Sequence, residues 1–135
     1  MKDKHTFIDS NVLLYLFTND QAKKRIATSL LSSHYTISTQ VVNENVNVCL
    51  RKLRLNKDQA YAHGRDLMSI FRVVNIYSST ITSAFDLSVK YELSYWDSLI
   101  VAAALESKCQ VLLTEDMHHG LVINEKLRIV NPFIS

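Results

Sequence analysis

Glycine and proline are scarce in this chain, which contains two glycines and one proline in 135 residues. No glycine cluster is present, and this excludes a Gly-rich loop of the kind that cradles phosphates in many nucleotide-binding proteins. Proline-rich linkers, internal repeats and low-complexity tracts are also missing from the sequence. We therefore expect one domain that spans residues 1–135.

Long apolar runs are missing as well. The longest, from Leu99 to Leu105, is far shorter than the ~18 residues that indicate a membrane span. The N-terminal segment MKDKHTFID also lacks the apolar core and the small-residue cleavage site of a signal peptide. We accordingly expect a cytoplasmic protein.

Cysteine is rare, and no sign of charge dominates. Cys49 and Cys109 lie in apolar surroundings without partners at metal-ligand spacing, so we interpret both as small buried side chains. The 15 basic and 13 acidic residues leave a net charge of +2. That balance neither requires nor excludes a nucleic-acid partner.

The hydrophobic pattern is typical of strands separated by helices. Short apolar runs rich in β-branched residues predict five strands, at about 6–8, 35–38, 72–77, 110–114 and 127–130. Amphipathic or capped segments predict helices at about 11–19, 21–31, 39–55, 57–71, 79–92 and 94–108. The alternation favours an α/β fold with three α/β/α layers around a mostly parallel sheet of about five strands.

Four acidic residues fall where a strand meets a helix or one turn into a helix. Asp9 ends the first strand, Glu44 and Asp97 lie in the first turns of their helices, and Asp116 follows the fourth strand. The carboxyl ends of parallel strands face one edge of the sheet, where ligands bind in open α/β folds. Asp97 joins that edge if its helix runs antiparallel to the strands, as crossover helices do.

Such a cluster of carboxylates would repel itself. Like charges close together disfavour joint ionisation, and a hard divalent cation removes that penalty. Mg²⁺ prefers oxygen ligands, and paired metals promote the hydrolysis of phosphodiesters. The four positions therefore indicate metal-assisted phosphoryl hydrolysis.

Each of these residues also has a purely structural interpretation. Asp97 follows Ser94 by three positions, so the pair also fits a helix-capping box. Asp9 fits a turn or cap residue, Glu44 fits an exposed helical residue, and Asp116 fits a loop acid. Thr114 either ends a strand or orients a carboxylate, and Trp96 is either a packing residue or a surface on which a base stacks. Ser10 and Asn11 fit helix caps or contacts to a bound water. His118 and His119 fit loop residues or proton-transfer groups, and Glu115 fits a surface acid.

Taken together, the four acidic segments resemble those of PIN-domain ribonucleases, and within that family the VapC-type toxins of bacterial toxin–antitoxin pairs. The matching motifs are FIDSNVLLYLF through Asp9, VVNENV through Glu44, SYWDSLIVAAAL through Asp97 and LLTEDMHHG through Asp116. The resemblance implies a Mg²⁺- or Mn²⁺-dependent endoribonuclease that hydrolyses RNA. It also implies that these four residues form the catalytic and metal-binding site, and that the partners are a cognate antitoxin and a second copy of the chain.

Two other functions share an acidic pocket at the ends of parallel strands. A receiver-type signalling domain needs a paired acidic motif after the first strand and a late lysine, but Lys108 precedes its strand here. A haloacid-dehalogenase-type phosphatase needs D-x-D at the first strand, and Asn11 occupies the second acidic position. Basic clusters at 51–57 and 23–25 fit either solvated helix faces or a phosphate-binding rim.

Overall fold

The computed structural model describes residues 5–134, in which six strands form one sheet. The order across the sheet is β3-β2-β1-β4-β6-β5, and every neighbouring pair is parallel except the antiparallel β5–β6 pair. The strands are β1 (Thr6–Ile8), β2 (Thr36–Ser38), β3 (Arg72–Val74), β4 (Val111–Leu113), β5 (Val122–Ile123) and β6 (Leu127–Val130).

In the described part of the chain, six α-helices complete a three-layer arrangement around this sheet. α3 packs on α4, and α5 packs on α6. The helices are α1 (Ser10–Leu13), α2 (Gln21–Ser29), α3 (Thr39–Arg51), α4 (Lys57–Ile70), α5 (Ser78–Tyr91) and α6 (Tyr95–Glu106), with 3₁₀ turns at Leu14–Phe17 and Leu30–Ser32. The predicted α/β class and the mostly parallel sheet are confirmed.

Local capping signals placed several helix starts correctly. The Ser38 side chain accepts a hydrogen bond from the Val41 amide, and Asn56 and Gln59 form a reciprocal capping box. Each such bond satisfies a backbone N–H that has no partner inside the helix. The sequence therefore predicts these helix starts without tertiary information.

The helix ends and the strand count differ from the predictions. The first helix begins at Ser10 and tightens to a 3₁₀ turn after four residues, and α3 ends at Arg51 rather than near residue 55. β5 has only two residues, which is too short for an alternating pattern to reveal. The sheet consequently has six strands rather than about five. Residues 1–4 of the N-terminal segment on which the absence of a signal peptide rested lie outside the described residues.

The core sits between the sheet and the helices. Phe7, Leu112 and Ile129 are fully buried on three neighbouring strands, and α6 is buried over residues 98–104. Cys49 and Cys109 are both buried, as predicted, and neither forms a disulfide within residues 5–134. No helix within residues 5–134 combines the length and apolar character needed to cross a membrane.

Gly64 lets α4 approach α3 closely, and we expect Gly64→Ala to lower the free energy of unfolding by roughly 1 kcal/mol. An added Cβ would lie 2.9 Å from Val46 Cγ2, and valine has little rotamer freedom in a helix. Overpacking of about 1–3 kcal/mol then outweighs the gain of up to about 1 kcal/mol from replacing glycine in a helix. Urea unfolding measures the difference.

The same substitution in a Val46→Ala background is the control for this prediction. Without the valine methyl groups, Gly64→Ala should stabilise the protein, because only the gain in helix propensity remains. Equal stabilisation in both backgrounds would show that α3 and α4 are not in tight contact at Gly64.

Candidate active site at the carboxyl edge of the sheet

The fold brings the four predicted acidic residues to one edge of the sheet. β1 is central and pairs with both β2 and β4, so Asp9 lies between the helix that carries Glu44 and the loop that carries Asp116. Asp97, in the first turn of α6, lies at the same edge. Its electrostatic interactions with Asp9, Glu44 and Asp116 show this.

Asp9 is the buried centre of this group, with 4% of its surface exposed. One carboxylate oxygen, Oδ1, accepts from the Ser10 amide at 2.7 Å, and the other, Oδ2, accepts from the Thr114 hydroxyl at 2.9 Å. Burial raises the pKa of Asp9 to about 7, with smaller contributions from the charges of Glu44 and Asp97, although both hydrogen bonds oppose the shift. Its charged form is thus disfavoured in the protein without a counter-charge.

Two polar side chains hold Glu44 beside Asp9. The Ser10 hydroxyl donates to Glu44 Oε1 at 2.7 Å and also lies 3.3 Å from Asp9 Oδ1. Gln40, one helical turn earlier on α3, donates through Nε2 to Glu44 Oε2 at 3.2 Å. Ser10 therefore bridges the two carboxylates in addition to starting α1.

Asp97 lies in a helix turn that Ser94 caps, and it also belongs to the acidic cluster. The Ser94 hydroxyl accepts from the Asp97 amide at 3.1 Å, so Ser94 is indeed the N-cap of α6. The Asp97 carboxylate is half-buried, and burial raises its pKa, followed by the charges of Asp116 and Glu44. Asp97 can therefore lie in a capped first helical turn and belong to the acidic cluster at the same time.

Thr114 links the ends of β1 and β4. Its hydroxyl accepts from Asn11 Nδ2 at 3.2 Å and from the Asp116 amide at 3.3 Å, while it donates to Asp9. Asn11 also accepts from the Glu115 amide at 3.2 Å. Thr114 and Asn11 therefore orient Asp9 and fix the loop of the exposed Asp116 relative to it.

Glu115 is adjacent to Asp116 in sequence but is directed to another cluster. It forms an ion pair with Lys23 at 2.7 Å and accepts a hydrogen bond from the Tyr15 hydroxyl. Burial alone would raise its pKa, but these two partners outweigh burial and lower the pKa of Glu115. The interpretation of Glu115 as a plain surface acid was therefore incomplete.

Sequence analysis missed Gln40, Asn45 and His63 as supporting residues. Asn45 is fully buried, donates to the Ser10 carbonyl at 3.3 Å and lies 3.0 Å from His63 Nε2. Gln40 stands four residues before Glu44, which is the spacing of neighbours on one helix face. That spacing was the available signal for Gln40, whereas Asn45 was hidden within an apolar stripe.

The two histidines after Asp116 and the basic residues of the 51–57 cluster are exposed. His119 Nδ1 accepts from the Asn131 amide at 3.0 Å, which ties this side chain to the end of β6. Arg51, Lys52 and Arg54 are exposed at and just beyond the end of α3, about 10 Å from Glu44 along the helix axis. Leu53 in this segment lines a pocket together with Asn11 and Glu115, so the segment lies on the same side of the sheet as the acidic cluster.

The donor set fits a hard divalent cation that keeps much of its hydration shell. Within residues 5–134 no three His, Cys, Asp or Glu side chains are arranged to enclose a metal ion by themselves. Mg²⁺ is commonly held by one or two carboxylates together with water and substrate phosphate. The raised pKa values of Asp9 and Asp97 are the feature that a cation would relieve.

Comparisons with known proteins agree with this architecture. The chain has the fold of VapC20 from Mycobacterium tuberculosis, a toxin that cleaves the sarcin–ricin loop, with a TM-score of 0.67 and 18% identity over 82% of this chain and 89% of that one. It is also similar to a toxin–antitoxin complex from Klebsiella pneumoniae, with a TM-score of 0.69 and 22% identity over 94% and 97% of the two chains. A third similar structure is FitAcB from Neisseria gonorrhoeae, with a TM-score of 0.64 and 16% identity over 95% of this chain and 98% of that one.

A sequence comparison identifies the family. No curated protein gives a significant match to the sequence. The family model of the PIN domain matches residues 6–120, which include all four acidic positions. The chain therefore belongs to the PIN-domain family.

Proposed function

We propose that this protein is a Mg²⁺- or Mn²⁺-dependent endoribonuclease of the cytoplasm and the toxin of a toxin–antitoxin pair. The observation that carries the proposal is the electrostatic frustration at the carboxyl edge, where burial and neighbouring charges raise the pKa of Asp9 to about 7. Burying a carboxylate beside other carboxylates lowers the stability of a fold. Carboxylates with shifted pKa values in a cleft are typical of catalytic sites. The PIN-domain match supports a nuclease rather than a receiver domain or a phosphatase.

Asp9, Glu44, Asp97 and Asp116 would hold the cation. When bound, a divalent cation supplies positive charge that offsets these carboxylates and the phosphate oxygens of RNA, and it polarises the phosphorus centre for attack by water.

The protein's own contribution is to fix the carboxylates of Asp9 and Glu44 before substrate arrives. Thr114 and the Ser10 amide each satisfy one oxygen of Asp9, while Ser10 and Gln40 each satisfy one oxygen of Glu44. The carboxylates therefore need little rearrangement during the reaction, which is the main requirement of electrostatic catalysis. The remaining lone pairs of Glu44 are suited to orient the attacking water.

Electrostatics also dictates how RNA must approach. A phosphate chain is repelled by four carboxylates, so cationic side chains around them are needed to hold it. The exposed Arg51, Lys52 and Arg54 extend from the helix that bears Glu44, and we assign them to this rim. We expect their replacement to weaken RNA binding with little effect on the site itself.

The proposed protein partners follow from the structural relatives. The similar Klebsiella structure is a toxin–antitoxin complex, and its chain is matched over 97% of its length. We propose by analogy that an antitoxin inhibits this chain and that two copies of the chain associate.

The first test is cleavage of RNA by the purified chain with and without a divalent cation. We expect cleavage in Mn²⁺ or Mg²⁺, none in excess EDTA, and recovery when the cation is restored. The same sequence made as DNA is the matched substrate control. Cleavage of RNA that persists in EDTA would refute metal dependence, and the lack of cleavage of any RNA in Mn²⁺ would refute the nuclease.

A further inference from the structure

A pocket of about 420 Å³ opens beside the acidic cluster, between α3 and the start of α6. We propose that this Trp96 pocket, formed by Gln40, Asn43, Asn47, Ile76, Trp96 and Leu99 together with Glu44, binds one nucleobase of a single-stranded RNA. The inference deepens the proposed nuclease function and rests on it for the identity of the nucleic acid. Its volume lies within the usual range of small-ligand sites, which is about 300–1,000 Å³.

The lining combines apolar side chains with side chains that can form hydrogen bonds to a ligand. Ile76 and Leu99 supply the apolar part. Asn43 and Asn47 are exposed and four residues apart, so they project from one face of α3. Each primary amide offers both donors and an acceptor, which matches the mixed donor and acceptor edge of a base.

Trp96 provides an aromatic surface at the side of this pocket. The side chain is 64% exposed, an unusual state for the largest aromatic residue. Its ring contacts Tyr95 at a centroid distance of 5.2 Å and an interplanar angle of 65°, which restricts its motion. Stacking of a base on such a ring contributes on the order of 1–3 kcal/mol to binding.

Charge selects among the possible ligands of the pocket. Among the side chains that line it in the described part of the chain, none is a lysine or arginine, and the charged one is Glu44. A phosphate or an acidic peptide would therefore be repelled. A neutral, planar, heteroaromatic group with hydrogen-bonding edges suits the aromatic, amide and apolar surfaces together.

The pocket is physically joined to the acidic cluster. Gln40 Nε2 lies 3.2 Å from Glu44 Oε2 and 3.3 Å from the Trp96 carbonyl oxygen, so one amide connects both. Glu44 belongs to both sites, and Trp96 precedes Asp97 in the chain. A base held on Trp96 would thus belong to a nucleotide next to the phosphate that reaches the carboxylates, and the pocket would influence which sequence is cut.

Trp96 is the single tryptophan of the chain, so its fluorescence reports on the pocket directly. The test is titration of the full chain with uncharged nucleosides in EDTA, excited at the red edge of indole absorption, with ribose as control. We expect at least one nucleoside to quench the emission about twofold at saturation while ribose has no effect, because only the base stacks on the ring. Equal responses to nucleosides and ribose would overturn the proposal.

Variants test whether the amides take part. Asn43→Ala and Asn47→Ala should each raise the half-saturating nucleoside concentration about two- to tenfold, the loss expected for one hydrogen bond. Tyr61→Ala, which removes an exposed aromatic on α4, is the matched control and should change nothing. Quenching that both asparagine variants leave unaltered would show that the base contacts Trp96 outside this pocket, and would refute the site.

A cleavage experiment separates this proposal from the proposed function. In Mn²⁺, Trp96→Ala should reduce the base preference at one position next to the cut at least about tenfold, and Trp96→Phe should retain it. Cleavage with unchanged preference and no quenching would refute the pocket and leave the nuclease intact. Base-dependent quenching without cleavage of any RNA would refute the nuclease and leave the pocket intact. Emission that changes on dilution but not with bases would assign Trp96 to a contact between copies, and would also overturn the inference.

Discussion

Asp9→Asn is expected to reduce Mn²⁺-dependent RNA cleavage by a hundredfold or more, on the order of the effect of removing one preorganised charged group from an active site. Asp9 is the most buried member of the cluster and interacts electrostatically with Glu44 and Asp97. Asparagine has nearly the same shape but lacks the negative charge, so it disables the attraction for a cation without opening a cavity. Cleavage of a defined RNA over time measures the effect.

The matched control for this experiment is Asp86→Asn. Asp86 is an exposed carboxylate on α5, outside the acidic cluster, and its neutralisation changes the net charge by the same amount. We expect wild-type cleavage from it. If Asp9→Asn still cleaves RNA at the wild-type rate while its circular dichroism spectrum is unchanged, the assignment of Asp9 to the catalytic site is wrong.

The second large effect concerns stability, and its direction follows from the raised pKa of Asp9. The pKa is about 7 in the folded protein against 3.8 for the ordinary residue. Between these values the folded state binds more protons than the unfolded state, so the free energy of unfolding falls as pH rises and the loss is complete above about pH 7. At 1.36 kcal/mol per pKa unit the loss from this group amounts to about 4 kcal/mol at most.

Asp9→Asn removes that titration, so the difference between the variant and the wild type isolates it from all other groups. In EDTA at pH 8 the variant should be the more stable protein by about 1–3 kcal/mol, because it avoids a buried charge but loses part of the hydrogen bonding to Thr114. Near pH 4 that advantage should disappear. A difference that stays constant from pH 4 to pH 8 in denaturant titrations would contradict the raised pKa.

Divalent cations should reverse the order of stability at pH 8. A ligand that binds only the folded protein at a hundred times its Kd adds about 2.7 kcal/mol. We expect Mn²⁺ to raise the melting temperature of the wild type at pH 8 and to have little effect on Asp9→Asn. The same rise in both proteins would place the bound cation elsewhere, and no rise in the wild type would argue against a metal at this edge.

The sequence alone determined the elements whose signals are local. Ser38, Asn56 and Ser94 cap helices that the sequence predicts close to these positions, because a capping bond forms within a few residues of chain. The parallel sheet was also predictable, since strands separated by helices cannot pair as hairpins. The same pattern predicted that four carboxylates lie where a strand meets a helix or within the first turns of a helix, on one edge of the sheet.

Only the tertiary structure decided how those side chains behave. Asp9 and Glu115 are both acids next to the ends of strands, yet burial raises the pKa of one, whereas Lys23 and Tyr15 lower that of the other. Asn45 and Gln40 gained their roles from partners that lie far along the chain or on another helix. Burial and charge–charge energies depend on distances between residues remote in sequence, and periodicity carries no information about such distances.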